Sequence, residues 1–188
     1  MKKGDIILVI DMQNVYKKGN AWECRNIERA VKNIEKIVSA AEKKKTENDI
    51  IFTRFIAPVS PYGSWKDYNR INNDINADKN LNDLIPEIRA ISKGHKVINK
   101  STYSCFFDEE IKLMASAHER IILTGVVAEC CVLATAFSAI DLGIKTVYIK
   151  DAVAGTNDDT EKASELVLKG LDYVQTVILT TEEYLKEL

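Results

Sequence analysis

A surplus of positive charge is missing from this chain: 26 lysines and arginines face 28 aspartates and glutamates, a formal net charge of -2. That balance offers no electrostatic footprint for nucleic acid or for an anionic membrane surface. Histidine is scarce, with only His95 and His118, and no Cys-x-x-Cys pair occurs, so the usual zinc-ligand patterns are excluded. The 4 cysteines, Cys24, Cys105, Cys130 and Cys131, are too few and too unevenly spaced for a disulfide scaffold. Two of them are adjacent, a poor geometry for a mutual bridge. Long apolar runs are lacking as well. The first, Ile6 to Ile10, lies between two aspartates and is too short for a signal peptide. No other run approaches the roughly 20 residues that span a bilayer. The expectation is a reduced, cytoplasmic protein with no membrane or nucleic-acid partner. Hydrophobic content of 46% and charged content of 29% are those of an ordinary globular chain. At 188 residues, with no repeat, linker or low-complexity tract, residues 1–188 read as a single domain.

What is present is an alternation of short apolar runs and helical periodicities. Ile6 to Ile10 is continuously apolar, as in a central parallel strand covered on both faces. Asn26 is placed to cap a helix whose apolar positions are Ile27, Val31, Ile34, Ile37, Val38 and Ala41. Asp49 to Phe55 reads as the next strand. A long excursion, Ile56 to Pro86, holds all 3 prolines, many asparagines, and the aromatics Tyr62, Trp65 and Tyr68. Loops of this length in compact domains are usually binding loops or lids. A short helix over Leu81 to Ile91 closes it. Then come a weak strand, Lys96 to Asn99, ending at Lys100; a helix, Phe107 to Ala117; and a strand, Ile121 to Leu123, that turns at Gly125 into an Ala-rich helix. Thr146 to Ile149, Asp159 to Leu171 and Gln175 to Leu179 read as strand, helix and strand, and Thr180-Thr-Glu-Glu opens a closing helix with a capping-box pattern. Such alternation predicts a doubly wound α/β sheet, in which ligands bind beyond the carboxyl ends of the strands.

Three strand ends carry complementary chemistry. Asp11 follows the first strand, Lys100 the third, and Cys130 and Cys131 stand where the chain turns from the fourth strand into its helix. A carboxylate can take a thiol proton, an ammonium favours the thiolate, and backbone N–H groups in a turn can stabilise an oxyanion. The helix start is also expected to lower the pKa of a thiol placed there. Each residue alone has a plain alternative: a turn aspartate, a solvated lysine, a cysteine in the core. Gln13, Arg54, Trp65 and Tyr68 are further candidates for contact with a substrate, Arg54 as a grip on a carboxylate and the two aromatics as a wall. Glu129 reads as a solvent-facing or capping residue, and His95 and His118 as surface residues.

The segments Val9-Ile-Asp-Met-Gln-Asn14, Ile98-Asn-Lys-Ser-Thr-Tyr-Ser-Cys-Phe106, Leu123-Thr-Gly-Val-Val-Ala-Glu-Cys-Cys-Val-Leu-Ala-Thr-Ala136 and Val147-Tyr-Ile-Lys-Asp-Ala152 resemble, in order, motifs of the isochorismatase-like cysteine hydrolases. That family includes nicotinamidases, N-carbamoylsarcosine amidohydrolases and ureidoacrylate amidohydrolases. The resemblance implies a three-layer α/β/α sandwich with a mainly parallel six-stranded sheet, in a homo-oligomer. It implies an Asp11, Lys100, Cys131 triad, with Cys131 chosen over Cys130 because the family nucleophile directly precedes a valine. It also implies a non-proline cis peptide between Val127 and Ala128, and an oxyanion hole from the Ala128 and Cys131 N–H groups. The implied reaction is hydrolysis of an amide or ureido C–N bond of a small molecule through a thioester. Nicotinamidases carry an Asp-x-His and a further His as metal ligands. Between Arg54 and Lys96 this chain has only His95, so no metal and no cofactor are expected. Two other readings stay open: a catalytically silent relative that binds a small molecule or a partner, and a redox-sensing thiol protein.

Overall fold

The computed structural model describes residues 3–44, 49–172 and 174–188. Six strands, β1 (Lys3–Ile10), β2 (Asp49–Phe55), β3 (Lys96–Lys100), β4 (His118–Val126), β5 (Lys145–Ala154) and β6 (Thr176–Leu179), form one sheet. Its order is β3-β2-β1-β4-β5-β6, and every neighbouring pair is parallel. Strand order therefore reverses between β1 and β4. Asp11 and the turn holding Cys131 leave the sheet from those two strands, on either side of the switch point where such sheets bind ligands.

The two faces of the sheet explain the unbroken apolar run in β1. Successive side chains alternate, so Ile6, Leu8 and Ile10 enter one core while Ile7 and Val9 enter the other. The first core takes Ile111 and Ala115 of α5 (Glu109–Ser116), Ala136 and Ala139 of α6 (Leu133–Asp141), and Leu168 of α7 (Asp158–Lys169). The second takes Ile34, Ile37 and Val38 of α1 (Ile27–Lys44), Ile88 of α4 (Pro86–Ile91), and Tyr184 of α8 (Thr181–Glu187). Helices thus cover both faces, giving the doubly wound sheet expected from the alternation and the three layers implied by the resemblance.

Most elements run longer than the apolar runs that signal them. β4 extends from His118 to Val126 and β5 from Lys145 to Ala154, because strand pairing continues past the β-branched residues. The helix expected over Phe107 to Ala117 is trimmed to Glu109–Ser116, since Asp108 accepts hydrogen bonds from Glu110 N and Ile111 N as its N-cap. Asn157 and Thr180 each form a full capping box, at α7 and α8. The side-chain amide of Asn26 reaches Asp158 and Glu161 at the start of α7.

The excursion contains two short helices that periodicity does not reveal, α2 (Trp65–Ile71) and α3 (Asn73–Ala77); its closing helix begins only at Pro86, a residue suited to a first turn. Its returning limb lies against the chain that leaves β1. Asn14 N donates to Asp83 O, Val15 N to Leu81 O, and Ile85 N to Met12 O.

His118 is not a surface residue. It is fully buried, with Nδ1 at 2.8 Å from Met114 O and Nε2 at 3.3 Å from Asp49. The flanking His-Glu-Arg pattern hides this because β4 already begins at His118. At the same end of the sheet, Arg120 pairs with both oxygens of Asp5 at 2.8 Å and reaches Glu187, tying α8 to β1 and β4. Among the described residues, no helix is long and apolar enough to cross a membrane.

Candidate active site

Asp11 is the first residue beyond β1 and has a φ of 50°, a left-handed conformation that aspartate tolerates better than most residues. That turn directs its carboxylate back under the strand ends, where it is fully buried. Thr53 of β2 fixes it twice, accepting from Asp11 N at 3.2 Å and donating to Asp11 Oδ1 at 2.7 Å. Lys100 ends the edge strand β3 and extends across β2, its ammonium 5.5 Å from the centre of the Phe55 ring. It meets Asp11 Oδ2 at 2.6 Å, Thr102 O at 2.9 Å and Cys131 Sγ at 3.5 Å. One buried ammonium therefore touches both the carboxylate and the thiol.

Cys131 lies in a single π-helical turn, Ala128–Val132, that joins β4 to α6. Such turns are rare and frequently occur at functional sites. Thr135 donates to Cys131 O and accepts from Cys105 N, bracing the turn from below. Cys130 N and Val132 N both donate to Val127 O, so those two amides are occupied. The approach to the turn is tight. Gly125 has a φ of 100°, and a Cβ there would sit 2.6 Å from Ile10 N and closer still to Ile10 O. The cis peptide bond lies between Val126 and Val127, one residue earlier than the family pattern suggests, because β4 pairs through to Val126 before the chain turns.

The electrostatics correct one expectation. Cys131 sits near a helix start, yet its pKa is raised well above the ordinary thiol value. Burial is the largest cause, followed by the negative charge of Asp11; Lys100 opposes both and does not prevail. Burial alone would also lower the Lys100 pKa, but the charge of Asp11 overcomes it and the value is raised. The resting site is thus a carboxylate–ammonium pair beside a neutral thiol.

Above Cys131 opens a cavity of about 440 Å³ lined by Tyr16, Ala21, Trp22, Glu23, Phe55, Tyr68, Tyr103, Val127, Cys130, Cys131 and Thr156. That volume suits a small molecule. Another hollow of about 420 Å³, between Lys17 and α1, holds no nucleophile. Of the other sequence candidates, Tyr68 lines the cavity, while Trp65 stands behind it, 5.1 Å from Tyr68 and 5.3 Å from Tyr103 between ring centres. Gln13 is almost wholly buried and spends its amide on Phe55 N, Phe55 O and Asn82 O, tying the ends of β1 and β2 to the excursion. Arg54 turns to Asn99 and Asp83, outside the lining. Glu129 is half-buried: its Oε1 accepts from Thr156 N and Oγ1, and its Oε2 is buried without a hydrogen bond. Sequence reasoning did not single out Thr53, Phe55, Tyr16, Trp22, Glu23 or Tyr103. Nothing in the residues around Thr53 signals its role, which arises only from the β1–β2 register.

His95, the one histidine of the excursion side, pairs with Glu42 at 2.9 Å. Among the described residues, no group of three or more His, Cys, Asp or Glu is placed to hold a metal ion.

Comparison with known proteins gives three findings. The family model described as "Isochorismatase domain" matches residues 5–183. No curated protein sequence matches significantly. Among solved structures, a cysteine hydrolase from Pseudomonas syringae superposes with a TM-score of 0.81 at 21% identity, covering 97% of this chain and 91% of that one. An N-carbamoylsarcosine amidase from Thermoplasma acidophilum gives 0.72 at 21% identity, covering 95% and 96%. A nicotinamidase from Bacillus subtilis gives 0.75 at 18%, covering 95% and 99%. At such identities the structural likeness speaks for the fold.

Proposed function

The chain belongs to the isochorismatase family, and on that premise we propose that it is a cysteine hydrolase of small-molecule amide or ureido C–N bonds. The observation that carries the reading is the Lys100 ammonium at 2.6 Å from Asp11 and 3.5 Å from Cys131 beneath an open cavity. A purely binding protein has no use for that arrangement, and a buried ion pair needs a reason to persist beside a thiol.

Asp11 is the general base. As Cys131 Sγ attacks the substrate carbonyl, its proton passes to Asp11 and an S–C bond forms. The carbonyl oxygen becomes an oxyanion facing the Cys131 N–H group; Ala128 is fully buried and outside the cavity lining, and the neighbouring amides of Cys130 and Val132 are already taken by Val127 O. Collapse breaks the C–N bond, Asp11 returns the proton to the leaving nitrogen, and ammonia or an amine departs from a thioester. Asp11 then takes a proton from water, the hydroxide adds to the thioester carbon, the S–C bond breaks, Asp11 returns the proton to Sγ, and the acid leaves. Lys100 holds the carboxylate in place and compensates the negative charge that moves between Asp11 and Cys131.

The test needs no known substrate. Iodoacetamide, itself a small primary amide, is applied at pH 7 and labelling of Cys131 and Cys130 is resolved by peptide mass spectrometry. The expected result is labelling of Cys131 that slows at least tenfold in Asp11→Asn, a typical lower range for loss of a general base. Equal rates in the two proteins would reject Asp11 as the base and with it the mechanism.

A further inference from the structure

We propose that the cavity selects amides carrying a positive charge, a quaternary or primary ammonium seated among the rings in front of Cys131. The inference rests on the amide-hydrolase reading for the reacting group and adds the chemistry of the remainder of the substrate.

The walls are aromatic to an unusual degree. Tyr16, Trp22, Phe55, Tyr68 and Tyr103 all line the space. Four of them form a connected set, with ring centres 5.8 Å apart for Tyr16–Trp22, 6.2 Å for Trp22–Tyr68, 6.5 Å for Trp22–Phe55 and 6.0 Å for Phe55–Tyr68, and Tyr103 joins it through Trp65. Ring faces carry negative electrostatic potential, and several rings around one space attract a cation. The three phenols stay neutral, burial being the first cause that raises their pKa values.

The charges point the same way. Among the described lining residues the one formal charge is Glu23, whose carboxylate accepts from Gly19 N at 2.7 Å. Behind Thr156 stands Glu129, with one oxygen bonded to Thr156 and the other buried and unpartnered. The positive charge of Lys100 is matched by Asp11 at 2.6 Å. Arg54, the residue suited to grip a carboxylate, is held by Asn99 at 2.9 Å and Asp83 at 3.6 Å, away from the lining. An anionic amide thus meets the Glu23 carboxylate, with Glu129 behind Thr156, and no cation in the lining. A cationic amide meets aromatic rings and Glu23, the Phe55 ring already having the Lys100 ammonium over it at 5.5 Å.

The test uses three primary amides that share a CH2–CONH2 end: trimethylglycinamide, a cation; 3,3-dimethylbutanamide, its uncharged isostere; and succinamate, an anion. Binding to Cys131→Ala is measured by calorimetry, and turnover by the intact protein as ammonia release. The cation is expected to bind about tenfold more tightly than its isostere, in the range of a partly desolvated cation–π contact, with the anion weakest. Glu23→Gln, a change at an exposed side chain, narrows the gap between cation and isostere, and Trp22→Leu narrows it further. The inference is overturned if the isostere or the anion binds as well as the cation, or if none of the three binds. Because binding is read without the thiol, charge preference with no turnover of any amide counts against the hydrolase reading alone. Turnover that favours the neutral amide counts against the charge preference alone.

Discussion

The Lys100–Asp11 pair offers a stringent test of the site, because its removal can be read as stability with no substrate at all. The two groups meet at 2.6 Å, with Lys100 4% exposed and Asp11 fully buried, so solvent screening is slight. At an effective dielectric constant of about 20 that separation corresponds to about 6 kcal/mol of attraction, largely offset by the desolvation of both charges. Truncating one partner leaves the other buried and unmatched, which typically costs about 3–5 kcal/mol. Lys100→Met strands the Asp11 carboxylate beside Thr53; Asp11→Asn strands the ammonium against Thr102 O, the Cys131 thiol and the Phe55 ring. Removing both together eliminates the unmatched charge. The double variant is therefore expected to be more stable than the sum of the singles implies, by about 2 kcal/mol or more. Urea unfolding of the four proteins at pH 7 gives all the values for the cycle. Single costs below about 1 kcal/mol that simply add would show that the pair is not an isolated, desolvated unit, and the charge argument for the site would fail with it.

Three further outcomes follow from particular residues. Burial pushes the Cys105 thiol up to about 11, with Asp11 adding to the shift and Lys100 opposing it. A folded value above the unfolded one stabilises fully below the ordinary thiol pKa of about 8.5, and that share is lost as pH climbs toward the folded value. Unfolding free energies at pH 8 and 10.5 should therefore fall by about 2–3 kcal/mol less in Cys105→Ala than in the parent; an unchanged difference refutes the assignment. Gly125→Ala places a Cβ inside the Ile10 backbone at a φ of 100°, and should cost about 3 kcal/mol or more in urea titrations. Asn157→Ala removes a cap that accepts from Asp159 N and Thr160 N, and should cost about 1 kcal/mol in the same assay.

How far the sequence discloses this molecule depends on how local each signal is. The doubly wound sheet is legible because each buried strand needs its own β-branched run, and each crossover helix its own 3.6-residue period. Asp11, Lys100 and the cysteine turn are legible because strand ends in such sheets are where ligands bind, and the motif order agrees. Thr53 is invisible: it reaches Asp11 only because Val9 and Phe52 share a register, a fact about two strands at once. The same holds for Trp22 and Tyr16, which belong to the loop after β1 but wall a cavity made with Phe55 and Tyr68. His118 misleads through its charged neighbours, since alternate residues of a strand face opposite ways. Arg54 and Gln13 look available by type, but their partners, Asp83 and Asn82, come from the excursion, whose path no periodicity describes.

The raised thiol pKa carries a consequence for pH dependence that separates this site from one that stores a thiolate. In the resting state Asp11 is charged, Lys100 is charged and Cys131 is neutral. Moving the proton from Sγ to the carboxylate yields a neutral acid, the same ammonium and a thiolate. Both arrangements have the same net charge and the same number of protons, so their ratio does not change with pH while Lys100 stays protonated. The reactive form is therefore a fixed minor fraction of the molecules. Alkylation of Cys131 by iodoacetamide is therefore expected to be nearly flat between pH 6 and pH 9 in the parent protein. In Asp11→Asn no internal acceptor remains, and the thiol must lose its proton to solvent; burial still opposes ionisation, while the loss of the Asp11 charge and the uncompensated Lys100 favour it. Its labelling rate should then rise with pH across the same range, as for any thiol that ionises to solvent. A parent profile that climbs as steeply as the variant's would mean that the thiol ionises to solvent, and the carboxylate would lose its role as the acceptor.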